Sequence, residues 1–77
     1  MISGFVLIIT KAGWEHAVYT ALKDLPEVDE VHPLFGEYDL IAKVHGEDMQ
    51  DIGMIVVEKI RTMDGIIETK TLTSIKF

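Results

Sequence analysis

Histidine and carboxylate side chains are the groups in this sequence that could do acid–base or metal chemistry. The chain has three histidines, His16, His32 and His45, together with thirteen acidic residues and no cysteine. A histidine can serve as a general base or as a metal ligand. However, the sequence carries no H-E-x-x-H pattern, no nucleophile elbow and no phosphate-binding glycine loop. We therefore expect His32 and His45 to lie at a sheet rim or a subunit interface and His16 to be solvated on a helix. We predict no catalytic site, no metal site and no cofactor.

The stretch Gly36-Glu37-Tyr38-Asp39 contains the residue types of a small binding site. Glycine lets backbone amides approach a ligand closely, and Tyr38 offers a ring with a hydroxyl tip. Asp39 can accept hydrogen bonds from an ammonium group. Together these groups would suit the amino and carboxylate groups of an amino acid. The pattern is not specific by itself, since acidic turn residues are normally solvated or cap their own backbone.

Four strands are predicted around this loop. Residues 2–10 are β-branched and aromatic without clean alternation, which favours a strand covered on both faces. Further strands are predicted at 28–34, 40–45 and 66–75 from β-branched residues and alternation. Pro33 indicates that the second strand lies at a sheet edge or ends there.

Two amphipathic helices are predicted between these strands. Apolar residues at helical spacing indicate a helix over 14–25, which Pro26 ends. The second helix is predicted to begin at the cap Asp48 and to end at Gly65 in a left-handed conformation. Gly53 lies inside this helix at a cost of ~1 kcal/mol against alanine, and a close backbone contact would explain it.

The resulting order, β-α-β-β-α-β, predicts an α+β, ferredoxin-like sandwich. Two helices would cover one face of a four-stranded antiparallel sheet and leave the other face open. Because Ile and Val occur on both strand faces, the open face would expose apolar surface, which commonly marks a partner site. Sheet-to-sheet dimerisation is therefore expected.

Length and charge exclude several classes of protein. The chain has 77 residues, which we interpret as a single domain over 1–77 that gains stability by self-association. The net charge is −6, so direct binding to nucleic acid or to an anionic membrane is not expected. The longest apolar run, 5–9, is far shorter than the ~20 residues of a spanning helix. The lack of cysteine fits a cytoplasmic protein.

Beyond these patterns, the sequence resembles a known family, the effector-binding module (RAM domain) of the Lrp/AsnC transcription regulators. The resemblance spans essentially the whole chain, and its most specific part is the spacing from Leu-Pro-x-Val to Gly-x-Tyr-Asp. The segments that carry it are Phe5-Val6-Leu7-Ile8, Gly13, Leu25-Pro26-Glu27-Val28 with Val31, Gly36-Glu37-Tyr38-Asp39-Leu40, Ile60-Arg61-Thr62-Met63-Asp64-Gly65-Ile66, and Thr69-Lys70-Thr71.

The resemblance implies a ferredoxin-like fold of the dimeric α+β barrel type. Two protomers would pack their sheets face to face, and the homodimers would assemble into an octamer or a similar ring. Amino acid effectors would bind at interfaces between dimers. The binding residues implied in this chain are Gly36, Tyr38 and Asp39, together with Thr69, Thr71 and Thr73, although β-branched strand residues would explain the threonines equally well.

One departure from the family concerns DNA binding. Full-length members carry an N-terminal helix-turn-helix, whereas this sequence begins directly with the first strand. We therefore expect a stand-alone regulatory module without its own DNA-binding domain, and leave open whether it modulates full-length Lrp/AsnC regulators by mixed assembly. Two alternatives remain. One is a small dimeric α+β barrel enzyme, similar to monooxygenases or isomerases, with His32 or His45 as base. The other is a purely structural oligomerisation module.

Overall fold

The computed structural model describes residues 1–75, so the last two residues of the predicted domain, Lys76 and Phe77, lie outside the described residues. The regular elements follow the predicted order, with one addition, a π-helix after the second α-helix. They are β1 (Ile2–Thr10), α1 (Glu15–Lys23), β2 (Val28–Pro33), β3 (Leu40–Gly46), α2 (Met49–Ile55), the π-helix (Val56–Ile60) and β4 (Ile66–Thr73).

The four strands form one antiparallel sheet in the order β2-β3-β1-β4. In this order the strands of the first βαβ half (β1, β2) alternate with those of the second half (β3, β4), which confirms the predicted ferredoxin-like α+β fold. β2 lies at one edge and ends at Pro33, as predicted for a strand that carries a proline. β4 forms the other edge and ends at Thr73, two residues before the predicted end at Ile75.

The core lies between the sheet and the helices. Alternate residues of β1 and β3 are buried on this side, because successive side chains of a strand point to opposite faces. Apolar residues from both helical segments complete the layer. The core side chains, each between 0% and 7% exposed, are Val6, Ile8, Val18, Leu22, Val31, Leu40, Ala42, Val44, Ile52, Ile55, Val56 and Ile60.

The second helix differs from the prediction because its second half is π-helical. The amide of Arg61 donates to the carbonyl of Val56 at 2.8 Å, an i→i−5 hydrogen bond. In an α-helix, residues four apart drift around the axis by ~40° per step, which would turn part of the series Ile52, Val56 and Ile60 away from the sheet. The wider π turn reduces this drift, and all three residues are buried.

Two glycines in or after this helix behave differently from each other. The helical segment ends at Ile60 and not at Gly65 as predicted. Gly65 has a φ of 92°, which confirms the predicted left-handed conformation, and a Cβ there would lie 2.7 Å from Cε3 of Trp14. Gly53 is exposed, and within residues 1–75 no neighbouring atom lies within 4 Å of its hypothetical Cβ. The close backbone contact predicted at Gly53 is therefore wrong. The predicted start of α1 at Trp14 is one residue early, since Trp14 is the residue before the helix.

The sheet face opposite the helices carries a mixture of apolar and charged residues. Leu7 pairs with Ile41 on one side and with Lys70 on the other, while Phe5 lies between Lys43 and Leu72. Leu7, Phe5 and Ile41 are half-buried, and Leu72 is 48% exposed. The structure thus confirms that apolar residues lie on both faces of the strands.

Candidate functional site

The loop between β2 and β3 lies at one end of the sheet and is closed by its own backbone. The amide of Leu34 donates to the carbonyl of Asp39 at 2.8 Å. Within this loop Tyr38 is half-buried and Gly36 is exposed. In the described part of the chain nothing lies within 4 Å of a Cβ built on Gly36. The backbone at Gly36 is therefore accessible to a ligand, as its residue type suggested.

Asp39 attaches this loop to the end of β1. Its Oδ2 accepts a hydrogen bond from the amide of Thr10 at 2.8 Å and lies 3.4 Å from the Thr10 hydroxyl. Its own amide donates to the carbonyl of Ile8 at 2.9 Å. This contact does not follow from the sequence, because the two partners are 29 residues apart and no local pattern links them. The carboxylate is thus held in a fixed position, half-buried, at the base of the loop.

The threonines of β4 lie at increasing distance from this loop. Thr69 pairs with Ile8, and Ile8 pairs on its other side with Leu40. Thr69 therefore lies level with Leu40, the residue that follows the loop, with one strand between them. Thr71 and Thr73 lie two and four residues further along β4, and at ~3.4 Å per residue Thr73 is roughly 14 Å further on. Within one chain, the six predicted ligand-binding residues do not surround a single small molecule.

An apolar cavity of about 260 Å³ lies beside the loop. Its wall combines the first turns of α1 with the strand ends that flank the loop. The lining residues are Glu15, His16, Tyr19, Pro33 and Leu40. The rings of His16 and Tyr19 are stacked with centroids 6.3 Å apart, and Lys23 Nζ lies 5.5 Å from the Tyr19 centroid. This cavity could not be predicted from the sequence, since its existence depends on the separation of α1 from the β2–β3 hairpin.

A second, more polar cavity of about 360 Å³ lies at the β4 edge, lined by Arg61, Ile66, Ile67, Glu68 and Thr69. It forms where the β1–β4 register shifts, opposite Ile9 and Thr10. Of the three predicted threonines, only Thr69 lines it.

The two histidines of the alternative enzyme hypothesis lie on the open sheet face, and each contacts a carboxylate. His45 Nδ1 is 2.7 Å from Asp29 Oδ1, and His32 Nε2 is 3.0 Å from Glu30 Oε1. His32 pairs with Ile41 across the β2–β3 ladder rather than with His45. Neither histidine lines the two cavities described above. Over residues 1–75, no group of three histidine, aspartate or glutamate side chains is placed to hold a metal ion.

One further ion pair connects the helical layer to the start of β2. Lys59 of the π-helix donates a hydrogen bond to Glu27. This hydrogen bond holds the pKa of the Glu27 carboxyl below its usual value, with a smaller contribution from a backbone hydrogen bond. The contact stabilises the charged carboxylate and is lost when the carboxylate takes up a proton.

Among the helices that the structure describes, none has the length and apolar character needed to cross a membrane.

The fold and the loop together define the class of the protein, a ferredoxin-like α+β domain with an accessible polar loop at one end of its sheet. Over residues 3–77 the sequence matches the family model described as the Lrp/AsnC ligand binding domain. The chain belongs to this family, as the resemblance of its motifs predicted.

Relatives of known sequence or structure agree with this assignment. An HTH-type transcriptional regulator of Pyrococcus abyssi is 35% identical over 60 residues, covering 78% of this chain and 40% of that protein. The crystal structure described as FFRP-DM1 is 41% identical with a TM-score of 0.92, and the match covers 97% of this chain and 100% of that one. AsnC of E. coli is 27% identical with a TM-score of 0.91, over 99% of this chain and 52% of that one.

A more distant structure is a transcriptional regulator of Neisseria meningitidis, described as a complex with L-Met. It is 18% identical with a TM-score of 0.86, over 97% of this chain and 50% of that one, and at this identity it shows the fold alone. The chain spans 40% or less of the length of the first three curated relatives it matches. Those relatives are described as HTH-type transcriptional regulators, and the shared part is the ligand-binding domain.

Proposed function

We propose that this domain binds an amino acid effector at the β2–β3 loop and changes its state of self-assembly when it does. The observation that carries this proposal is the position of Asp39. Its carboxylate is fixed by the Thr10 amide, in the same loop as the accessible backbone of Gly36 and in a chain of a ligand-binding family. A fixed carboxylate loses little conformational entropy when it binds a ligand.

The chemistry of the loop suits the two charged groups of an amino acid. The ammonium group would approach the Asp39 carboxylate in a charge-assisted hydrogen bond. The carboxylate group would accept from backbone amides near Gly36, and the Tyr38 ring would contact the effector's side chain. The L-Met complex of the Neisseria regulator supports an amino acid as the class of ligand.

Self-assembly would complete this site. In a single chain Thr71 and Thr73 lie too far along β4 to reach a ligand at Asp39, so their participation requires a second copy. The half-buried Phe5, Leu7 and Ile41 of the open face support a face-to-face homodimer, from which an octamer or a similar ring would form. An effector that binds one assembly more tightly than another shifts the balance between them.

The partners of such a module would be the amino acid effector, further copies of the chain and full-length Lrp/AsnC regulators. The curated relatives pair this domain with an HTH region, so a mixed assembly would bring effector binding to a DNA-bound regulator. The net charge of −6 opposes direct contact of this segment with DNA. We place the module in the cytoplasm, where such regulators meet free amino acids.

Calorimetric titration with single amino acids tests the role of Asp39. Asp39→Asn keeps an oxygen acceptor for the Thr10 amide and removes the charge, so the loop stays in place. We expect at least tenfold weaker binding, ~1.4 kcal/mol. Glu58→Gln removes one negative charge from the exposed surface of the π-helix and should bind as the parent does. Unchanged affinity in Asp39→Asn would rule out its contact with the ammonium group.

A further inference from the structure

The tip of the β2–β3 loop presents an aromatic side chain entirely to solvent. Phe35 is fully exposed, and its neighbour Leu34 is 41% exposed. Single exposed apolar residues are ordinary on protein surfaces. Phe35 differs from an isolated exposed apolar residue because an apolar cavity opens at Pro33, two residues earlier in the chain.

This cavity has the size and lining to hold a phenyl ring. Its volume is about 260 Å³, whereas an apolar cavity of ~150 Å³ is enough to bind benzene. It is lined by His16, Tyr19, Pro33 and Leu40, with Glu15 as its one acidic residue. An inserted ring would lie against aromatic and aliphatic groups, the surroundings in which aromatic side chains are most favourable.

We propose that Phe35 of one copy inserts into this cavity of a second copy. Within its own chain Phe35 is fully exposed, so it does not fill the cavity beside it. Because Phe35 lies only two residues after Pro33, the end of β2 and a lining residue of the cavity, the inserting group and the receiving cavity form one surface patch. Two copies related by a two-fold axis present that patch to each other, so both insertions form at once.

The charges around the two parts have both signs. Lys23 Nζ lies 5.5 Å from the centroid of the Tyr19 ring, which lines the cavity together with Glu15, and the exposed Glu37 follows Phe35 by two residues. When Phe35 inserts, an approach of Glu37 to Lys23 of the other copy is attractive, whereas an approach to Glu15 is repulsive. The Lys23 attraction would offset part of the repulsion between two chains that each carry a net charge of −6.

The surface area that the two insertions bury is too small for them to form the main interface of an assembly. Each phenylalanine buries ~150–250 Å², so two insertions fall below the ~1,200–2,000 Å² of a stable interface. The reciprocal insertion of Phe35 would therefore join dimers whose two chains already associate through another surface. It rests on the self-assembly proposed above, but it does not depend on the identity of the effector.

Photo-crosslinking tests the contact directly and keeps an aromatic ring at the position. Phe35 is replaced by p-benzoylphenylalanine, the protein is irradiated, and the products are separated by mass and mapped by peptide sequencing. We expect a product of two chains joined between position 35 and the α1 segment that contains His16 and Tyr19. The same photoreactive residue at Met49, which is 64% exposed and follows the opposite end of β3, should give no product at α1.

The other outcomes contradict the contact. A link within one chain would show that Phe35 closes its own cavity, and a link to another surface, or none, would remove the cavity as the receiving site.

Sedimentation velocity gives an independent measure with Phe35→Ala and Met49→Ala. We expect Phe35→Ala to weaken the association between dimers at least tenfold, with circular dichroism unchanged because the side chain makes no packing contribution to its own chain. Met49→Ala should sediment as the parent does. Equal behaviour of the two variants would overturn the insertion. If Phe35→Ala still binds amino acids, the proposed effector site is supported independently of the proposed Phe35 insertion.

Discussion

The two faces of the sheet have the same strands but different roles. On β1, Val6 and Ile8 are completely buried beneath the helices, whereas Phe5 and Leu7 on the opposite face are only half-buried. The covered face completes its packing within one chain. The open face keeps apolar surface beside Lys43 and Lys70, which is not covered within residues 1–75 of one chain. The covered face therefore determines the fold, and the open face is available for assembly.

The largest expected effect distinguishes two neighbouring residues of β1. Ile8→Ala removes buried methyl groups from the covered face and should lower the free energy of unfolding by ~2–5 kcal/mol. Leu7→Ala should change the unfolding of dilute protein by less than half of that and should weaken self-association instead. Urea unfolding at low concentration, together with sedimentation, measures both. Equal losses of stability in the two variants would remove the distinction between the faces.

Tight packing on the helix side extends to the residues that flank α1 and β4. A Cβ at Gly65 would meet Trp14 at 2.7 Å, in a backbone conformation with φ of 92°. Gly65→Ala should therefore cost ~2–4 kcal/mol from left-handed strain and overpacking. Gly13→Ala has a similar φ of 87° but open space around it, and it should cost only ~1–2 kcal/mol. Thermal unfolding of Gly65→Ala and Gly13→Ala separates the clash with Trp14 from the left-handed strain that both variants share. Equal decreases in Tm would show that the clash with Trp14 contributes nothing.

The outer surface of α2 has room for a larger side chain at Gly53. Gly53→Ala fills open space on a helix and should raise the free energy of unfolding by ~0.5–1 kcal/mol. Gly46→Ala, at the end of β3, would bring a Cβ to 3.0 Å from Ile52 Cγ1 and should instead destabilise the protein. Denaturant midpoints of both variants check the pair, and a loss of stability in Gly53→Ala would contradict the open surface.

The smallest expected effect concerns pH and the Glu27–Lys59 contact. The folded state lowers the pKa of Glu27, so the contact stabilises the fold above the unfolded-state pKa. This stabilisation is lost as pH falls through the lowered folded-state pKa. Lys59→Met should be slightly less stable than the parent at neutral pH, and the difference should disappear in acid. A difference in Tm that stays constant across this range would show that the ion pair contributes nothing.

The sequence predicted the fold well because alternation and helical spacing report directly on burial. The order of elements, the cap at Asp48, where Oδ1 accepts from the Asp51 amide at 2.8 Å, and the conformation of Gly65 follow from local residue types. The π-helix does not, because its i→i−5 bonding is selected by the fit of Val56 and Ile60 against the sheet. Gly53 was misinterpreted because a helical glycine indicates a backbone cost and does not identify its neighbours.

The candidate site was predicted less completely than the fold. The accessible Gly36 was expected from its residue type, but the attachment of Asp39 to Thr10 depends on where two distant segments meet. The cavity beside the loop was missed for the same reason, since Tyr19 and Leu40 are brought together only by the packing of α1 on the hairpin. The separation of Thr73 from the loop depends on the β1–β4 register, which a single strand pattern does not contain.

The central claim is that an amino acid binds this domain and changes its assembly. The most direct measurement is thermal unfolding of the purified protein with each common amino acid at millimolar concentration, followed by light scattering with every stabilising compound. We predict that at least one amino acid raises Tm and changes the particle mass. If none shifts Tm and the particle mass stays constant, the domain is not an amino acid sensor.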